Sequence, residues 1–307
     1  MKFNPFSSPP LVGVDIQPHE ARLVQLRKTS KGFLVERAAI VEMPDKVFAD
    51  GKIKDWDKLR LVLANSVREH KLTGIATAIN LPTNLVRIQH IKIPTGIPDA
   101  AVEEEIKVQV ERDFPGLGDS LYIDFSITSA EESGYSDVFS VVTRQEYVSQ
   151  YIQCINSIGL KTKIVDVDGY ALKRIFKFDS ISPPEEVYAL ACKINHSATL
   201  CISAGPEIIF QQMFAAYAID EFLLQLKKRI QIFLAAFPGK LITNLAVYGN
   251  YPQIKIKMEE FDSDGAVKIH YPNPFASFLF SPDINHEIDK EKLLVACGSA
   301  MREVPKW

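Results

Sequence analysis

Apolar residues fall into short runs punctuated by Gly, Pro and Asn, with longer stretches at helical spacing between them. Residues 11–16 are apolar except for Gly13 and Asp15. Residues 21–26 resume the pattern after Gln17, Pro18, His19 and Glu20, which together predict a hairpin turn. Ser30, Lys31 and Gly32 make a second turn and leave 33–41 as a third strand. Trp56, Leu59, Leu63 and Val67 then recur at helical spacing before 75–80 returns to a strand. The predicted order is three strands, a helix, a strand.

From residue 81 the texture changes. Residues 86–93 predict a strand closed by Pro94, and Asp99 opens an acidic helix with Val102, Ile106 and Val110 on one face, stopped by Pro115 and Gly116. Two strands, 121–127 and 137–142, flank the polar loop 129–136. Thr143 and Glu146 have the spacing of a capping box. They predict a helix from Arg144 in which Val148, Tyr151, Ile152, Ile155 and Ile158 recur until Gly159 offers a left-handed stop. A buried strand at 162–167, a capping Asp168 and a helix to Phe176 then form a crossover between two halves.

Beyond the loop 180–185, with Pro183 and Pro184, the first pattern returns. Strands at 187–194, 199–203 and 207–214 are joined by turns at Asn195, His196 and Ser197 and at Ala204, Gly205 and Pro206. A helix carrying Phe222, Leu223, Leu226, Ile230, Phe233 and Leu234 follows, then a strand at 245–248 ending in Gly249, and a closing helix at 290–301 with Leu293, Leu294 and Cys297 inward. The expected division is a first core of 1–80 with 159–180, an inserted subdomain of 81–158, and a second lobe of 181–307. Residue identity between the halves is poor, so the echo is architectural.

Composition narrows the class. The chain has 307 residues, 47% hydrophobic and 24% charged, with a net charge of -3, which suits a globular protein and argues against nucleic acid as a partner. Cys154, Cys192, Cys201 and Cys297 lack paired short spacing and sit in apolar segments, so they are expected as reduced core residues rather than metal ligands or disulfides. The amino terminus lacks the apolar run of a signal peptide, and no segment has the length of a bilayer span. A cytoplasmic protein is expected, meeting a membrane only through partners.

Two copies of a three-strand, helix, strand unit, with an insertion after the first, resemble the actin-like ATPase architecture of FtsA and the PilM family. The likeness to the PilM family rests on Val-Gly-Val-Asp-Ile at 12–16, Ile-Pro-Thr-Gly-Ile at 93–97 and Val-Val-Thr-Arg-Gln-Glu at 141–146. It extends through Gly-Leu-Lys at 159–161, Val-Asp-Val-Asp-Gly-Tyr-Ala-Leu at 165–172 and Asn-Pro-Phe at 273–275. The resemblance implies a two-lobed α/β fold, ribonuclease H-like and duplicated, with an FtsA-type inserted subdomain and a trimmed second lobe, since Phe214, Ala215 and Ala216 run almost directly into the long helix.

It also implies a cytoplasmic protein of type IV pilus assembly and twitching motility, peripheral to the inner membrane. In that family the cleft between core and insertion captures the cytoplasmic tail of PilN, an inner-membrane protein, and couples the assembly motor to the platform. Val86, Ile88, Val102 and Ile106 are the candidate contacts. ATP and Mg2+ are the family's cofactors, but the positions that would hold them depart from its Asp-Ile-Gly pattern. Asp15 survives while Gln17 replaces the glycine, Lys193 and Asn195 stand in the second copy, and Gly249 is followed by Asn250 instead of a second glycine. Asp168 matches a cleft carboxylate that orients water.

A scaffold with a degenerate nucleotide site is therefore expected, with a working ATPase or a relative of the type II secretion protein GspL as alternatives. Asp15 reads equally as a magnesium-side carboxylate or a turn former, and Lys193 either pairs with Asp15 across the cleft or simply ends a strand. His196, Ser197 and Thr199 suit turn hydrogen bonding better than a hydrolase triad, and His19 suits an exposed turn. The run from Glu103 to Glu105 reads as a solvated helix face that could also meet a partner.

Overall fold

The computed structural model describes residues 10–49, 51–113, 120–130, 134–176, 187–249, 254–261 and 267–304. The Pro115–Gly116 stop, the loop 180–185 and Asn250 lie outside these residues. The chain opens with β1 (Leu11–Ile16), β2 (Glu20–Thr29) and β3 (Gly32–Glu42), a small hairpin of β4 (Phe48–Ala49) and β5 (Lys52–Ile53), then α1 (Trp56–Glu69) and β6 (Ala76–Leu81). Asp55 caps α1 by accepting the Lys58 amide at 2.9 Å, and Leu59, Leu63 and Val67 form its buried stripe.

The insertion holds β7 (Val86–Pro94), α2 (Asp99–Asp113), β8 (Leu121–Ala130) and β9 (Tyr135–Arg144). The chain returns through α3 (Gln145–Ser157), β10 (Lys161–Val167) and α4 (Asp168–Ile175). The second half has β11 (Val187–Ile194), β12 (Ser197–Ala204), β13 (Glu207–Ala215), α5 (Ile219–Ala236), β14 (Ile242–Tyr248), α6 (Ile254–Phe261) and β15 (Lys268–His270). Last come β16 (Phe278–Phe280), a short 3-10 turn and α7 (Leu294–Ala300).

Pairing makes the duplication explicit. The first sheet runs β10-β6-β1-β2-β3-β16 and the second β13-β12-β11-β14-β15. In each, the first three strands of the unit are antiparallel, and its next two join parallel on the other side of the first. Strand alternation gives each sheet two apolar faces. Val12, Val14 and Leu23 face α1 and α3, whereas Val24, Leu26 and Val35 face inward toward α4 and α7. Tyr188, Leu190 and Cys192 of the second sheet meet the same central helices, and Ala189, Leu200 and Val247 face α5. Phe222, Leu226 and Phe233 of α5 are wholly buried, each such side chain contributing about 1.5–3 kcal/mol. All four cysteines are buried and free.

Several expectations need correction. α3 belongs to the first core: Val148, Tyr151, Cys154, Ile155 and Ile158 pack with α1 and the first sheet, so the insertion ends at β9. Thr143 does not cap α3. It lies in β9 and donates its hydroxyl to the Leu85 carbonyl at 2.7 Å, while Arg144 occupies the cap position without a side-chain bond. Asp168 is the first residue of α4 rather than its cap, which is Val167.

The final stretch is not part of the second lobe. β16 pairs with β3 in the first sheet, and α7 lies on β1 and α4. α7 is narrow, with Ala296, Gly298 and Ala300, which allows backbone contact: a Cβ on Gly13 would fall 1.9 Å from the Ala296 carbonyl oxygen, and one on Gly298 would fall 2.1 Å from that of Ala171. Arg174 secures the same junction, bonding Asp166 at 3.0 Å and the Gly298 carbonyl.

Candidate functional site

The first of the positions expected to hold nucleotide lies on the β1–β2 hairpin, whose register sets Asp15 opposite Arg22. The Arg22 guanidinium donates to Asp15 at 2.9 Å and to Glu20 at 2.6 Å, Gln17 donates its amide to Asp15 at 2.9 Å, and Lys292 reaches Glu20 at 2.7 Å. Burial works against the Glu20 charge, but Lys292 and Arg22 outweigh it and hold its pKa below the usual carboxylate value. Burial likewise opposes the Arg22 charge, and Asp15 and Glu20 overcome it to raise its pKa.

Lys193 does not pair with Asp15. It is wholly buried, and its ammonium donates to the carbonyls of Asn195 and, at 2.6 Å, Ala216. Asn195 takes a left-handed φ of 51°, which turns its carbonyl back to the lysine. Gly249 sits close by, where a Cβ would be 3.1 Å from the Lys193 carbonyl oxygen. His196 packs against Tyr217 at 5.2 Å, and Ser197 bonds the Ile194 carbonyl at 3.4 Å, so both serve the turn.

Asp168 closes the lobes on each other. Its carboxylate accepts the Thr83 hydroxyl at 2.6 Å from the first lobe and the Gln211 amide at 2.7 Å from β13 of the second. Gln211 lies flat on Gly169, where a Cβ would meet its Oε1 at 2.1 Å. Burial pushes the Asp168 pKa up to about 6; bonds from Thr83 and Gln211 oppose this, and the Asp15 charge adds to it. A carboxyl whose folded pKa lies above 3.8 contributes stability that is complete below that value and is lost as pH rises through about 6. Asp168→Asn is therefore expected to flatten the fall in melting temperature between pH 4 and 6, read by thermal unfolding at a series of pH values.

A second feature lies beside the insertion. A groove of about 500 Å³ separates one face of its sheet from the first core. Tyr122, Val141 and Thr143 form one wall, with Val148 and Ile152 of α3 and Val165 of β10 opposite. β8 is the edge strand on that side. At one end the Tyr170 hydroxyl donates to Glu207 at 3.3 Å; burial, together with Glu207 and Asp124, raises its pKa. Asp166, held by Arg174, lies at the groove with Arg302.

The partner candidates separate here. Val86 lines the groove, and Ile88 shares its sheet face two residues on. Val102 and Ile106 cannot touch a partner: both are wholly buried under α2 against the other face of the sheet, with Ile93, Val138 and Val142. The groove wall from α3 and β10 escaped the sequence reading. Its signal was the width of the apolar arc on α3, where Ile152 flanks the core at half burial and also lines the groove. On α2, Lys107 pairs with Glu103 and Glu104 in a solvated face. Among the described residues no group of three or more His, Cys, Asp or Glu stands together as a metal site, and no helix is long and apolar enough to cross a membrane.

Comparison with known proteins places this architecture. A chain of the PilM-PilN type IV pilus biogenesis complex superposes with a TM-score of 0.77 at 17% identity, over 96% of this chain and 99% of that one. The cytoplasmic domain of EpsL, an inner membrane component of the type II secretion system of Vibrio cholerae, superposes with a TM-score of 0.51 at 11% identity, over 94% of each chain. These likenesses show the fold, a two-lobed actin-like body. The family described as type IV pilus assembly protein PilM matches residues 13–195, more than half of the sequence. This chain belongs to the PilM family.

Proposed function

We propose that this chain is a scaffold of the type IV pilus platform on the cytoplasmic face of the inner membrane. It captures the amino-terminal tail of PilN in the groove between the inserted sheet and the first core. The groove carries the reading: it is lined by apolar and polar side chains beside β8, an edge strand among the described residues, so an extended peptide would gain main-chain hydrogen bonds from β8 and side-chain burial from Val141, Ile152 and Val165. One solved chain of like fold comes from a PilM-PilN complex, which supports PilN as the occupant. A tail held there would couple the platform to the assembly motor.

The cleft supports a scaffold over an ATPase. A hydrated Mg2+ beside Asp15 would have to displace the Arg22 guanidinium, and the buried Lys193 ammonium donates to the carbonyls of Asn195 and Ala216 in its own lobe. Pro18 offers no amide to a phosphate. The residues present do not suit a metal-bound triphosphate.

Calorimetric titration with a synthetic PilN tail tests the reading. Val141→Arg and Tyr122→Arg each place a charge in the groove and are expected to weaken binding at least about tenfold, with thermal unfolding showing that the variants fold. Unchanged affinity in both variants would count against the groove. Titration with ATP and Mg2+ is expected to give no heat; binding that vanishes in Asp15→Ala would favour the ATPase reading.

A further inference from the structure

The inward side of α5 is fully used, and its outward side carries exposed aliphatic side chains among polar and cationic ones. At 100° per residue, Leu224, Lys227, Lys228, Gln231, Ile232 and Leu234 fall within an arc of about 160° opposite Phe222, Leu226 and Phe233. Leu224 is 61% exposed, Ile232 50%, and Leu241, five residues past the helix end, 71%. Large aliphatic side chains left open beside cations on one helix face mark a surface that meets a partner.

Charge says which kind. Between Phe222 and Met258 the sequence carries Lys227, Lys228, Arg229, Lys240, Lys255 and Lys257 and no Asp or Glu, in a chain whose net charge is -3. The acids of α5 are confined to its first turn and already engaged: Asp220 pairs with Lys257 and Glu221 accepts the Tyr217 amide at 2.8 Å. Arg229 turns inward to stack on Phe214 at 4.1 Å, whereas Lys227, Lys228 and Lys240 are exposed.

We propose that the outward face of α5 seats directly on an anionic lipid surface, with Leu224 and Ile232 entering the headgroup region and Lys227, Lys228 and Lys240 meeting lipid phosphates. Exposed aliphatic side chains flanked by lysines on a convex helix suit a bilayer interface, since lysine stems cover apolar surface while their ammonium groups reach the headgroups. A second copy is a poorer occupant, because an isologous contact would set the same cations against each other, and Asp220, the acid at the start of that face, is already paired with Lys257. This contact is independent of the groove and would hold the scaffold flat on the membrane that anchors its partner.

Co-sedimentation of the full chain with vesicles tests it. The wild-type protein is expected to pellet with phosphatidylcholine vesicles containing phosphatidylglycerol and to stay in solution with phosphatidylcholine alone. Binding should fall at least about tenfold in Lys227→Glu with Lys228→Glu, in Leu224→Ser with Ile232→Ser, and on adding salt. All four positions are exposed, and unchanged thermal unfolding will show that the variants fold. No pelleting, or equal pelleting with neutral vesicles, would overturn the proposal. So would a lipid-free dimer in sedimentation velocity that both double variants dissociate, which would assign the face to a second copy.

Discussion

Gly13→Val is expected to leave the chain unfolded and protease-sensitive. β1 and α7 meet backbone to backbone: even the Cβ of alanine would stand 1.9 Å from the Ala296 carbonyl oxygen and 2.9 Å from the Ala300 amide nitrogen. α7 cannot retreat, because its other side is pressed on α4 at Gly298, 2.1 Å from the Ala171 carbonyl by the same measure. Relief requires separating the central helices from the first sheet, at a cost of more than about 4 kcal/mol against a total stability of roughly 5–15. Far-UV circular dichroism and limited proteolysis read the outcome, with Gly13→Ala expected to show a smaller loss in the same direction. A melting temperature unchanged in both would mean that α7 slides to make room.

Arg22→Ala is expected to be nearly as damaging for an electrostatic reason. One guanidinium serves two acids, Asp15 at 2.9 Å and Glu20 at 2.6 Å, and Asp15 is almost wholly buried. Removing the cation leaves Asp15 as an uncompensated buried charge, which typically costs about 3–5 kcal/mol. Arg22→Lys should recover part of this, because a single ammonium lacks the fork that bridges both carboxylates. Glu20 sets the pH dependence: its pKa is lowered on folding, so its contribution is present above the unfolded value of 4.5 and lost as pH falls through the folded one. The gap in melting temperature between wild type and Arg22→Ala should therefore narrow as pH falls below the carboxylate range. A gap that stays constant would mean that packing of the arginine stem, not charge, dominates.

The strands of both lobes were legible because their pattern is local. A period of two bounded by Gln17–Pro18, by Lys31–Gly32 or by Gly205–Pro206 carries its own turn chemistry. What escaped depends on contacts distant in sequence. β15 and β16 are three residues each, too short for any periodicity, and exist because Lys268–His270 and Phe278–Phe280 meet edges already formed by β14 and β3. The apolar spacing of α3 predicts that it is buried but not against which sheet. The same spacing on α2 marked Val102 and Ile106 as apolar, and their own sheet covers them.

Within the cleft, Lys193 and Asp15 looked complementary because pseudo-equivalent positions had opposite charge, yet each is satisfied within its own lobe. For Asp15 the answer was available from the hairpin, since a tight turn at Pro18–His19 sets residue 22 opposite residue 15. The Asp168, Thr83 and Gln211 cluster joins three segments whose separations of 85 and 43 residues from Asp168 no local rule connects.

The return of β16 and α7 to the first sheet also fixes an order of events during synthesis. The amino-terminal lobe emerges from the ribosome first but lacks the helix that covers the inner face of β1 until residues 294–300 have been made. Val24, Leu26 and Val35 stay uncovered by that helix throughout translation of the second lobe. A nascent chain stalled before residue 278 would present that sheet face and the open flank of β3 to any neighbour, which makes this interval the one in which the polypeptide most needs a chaperone.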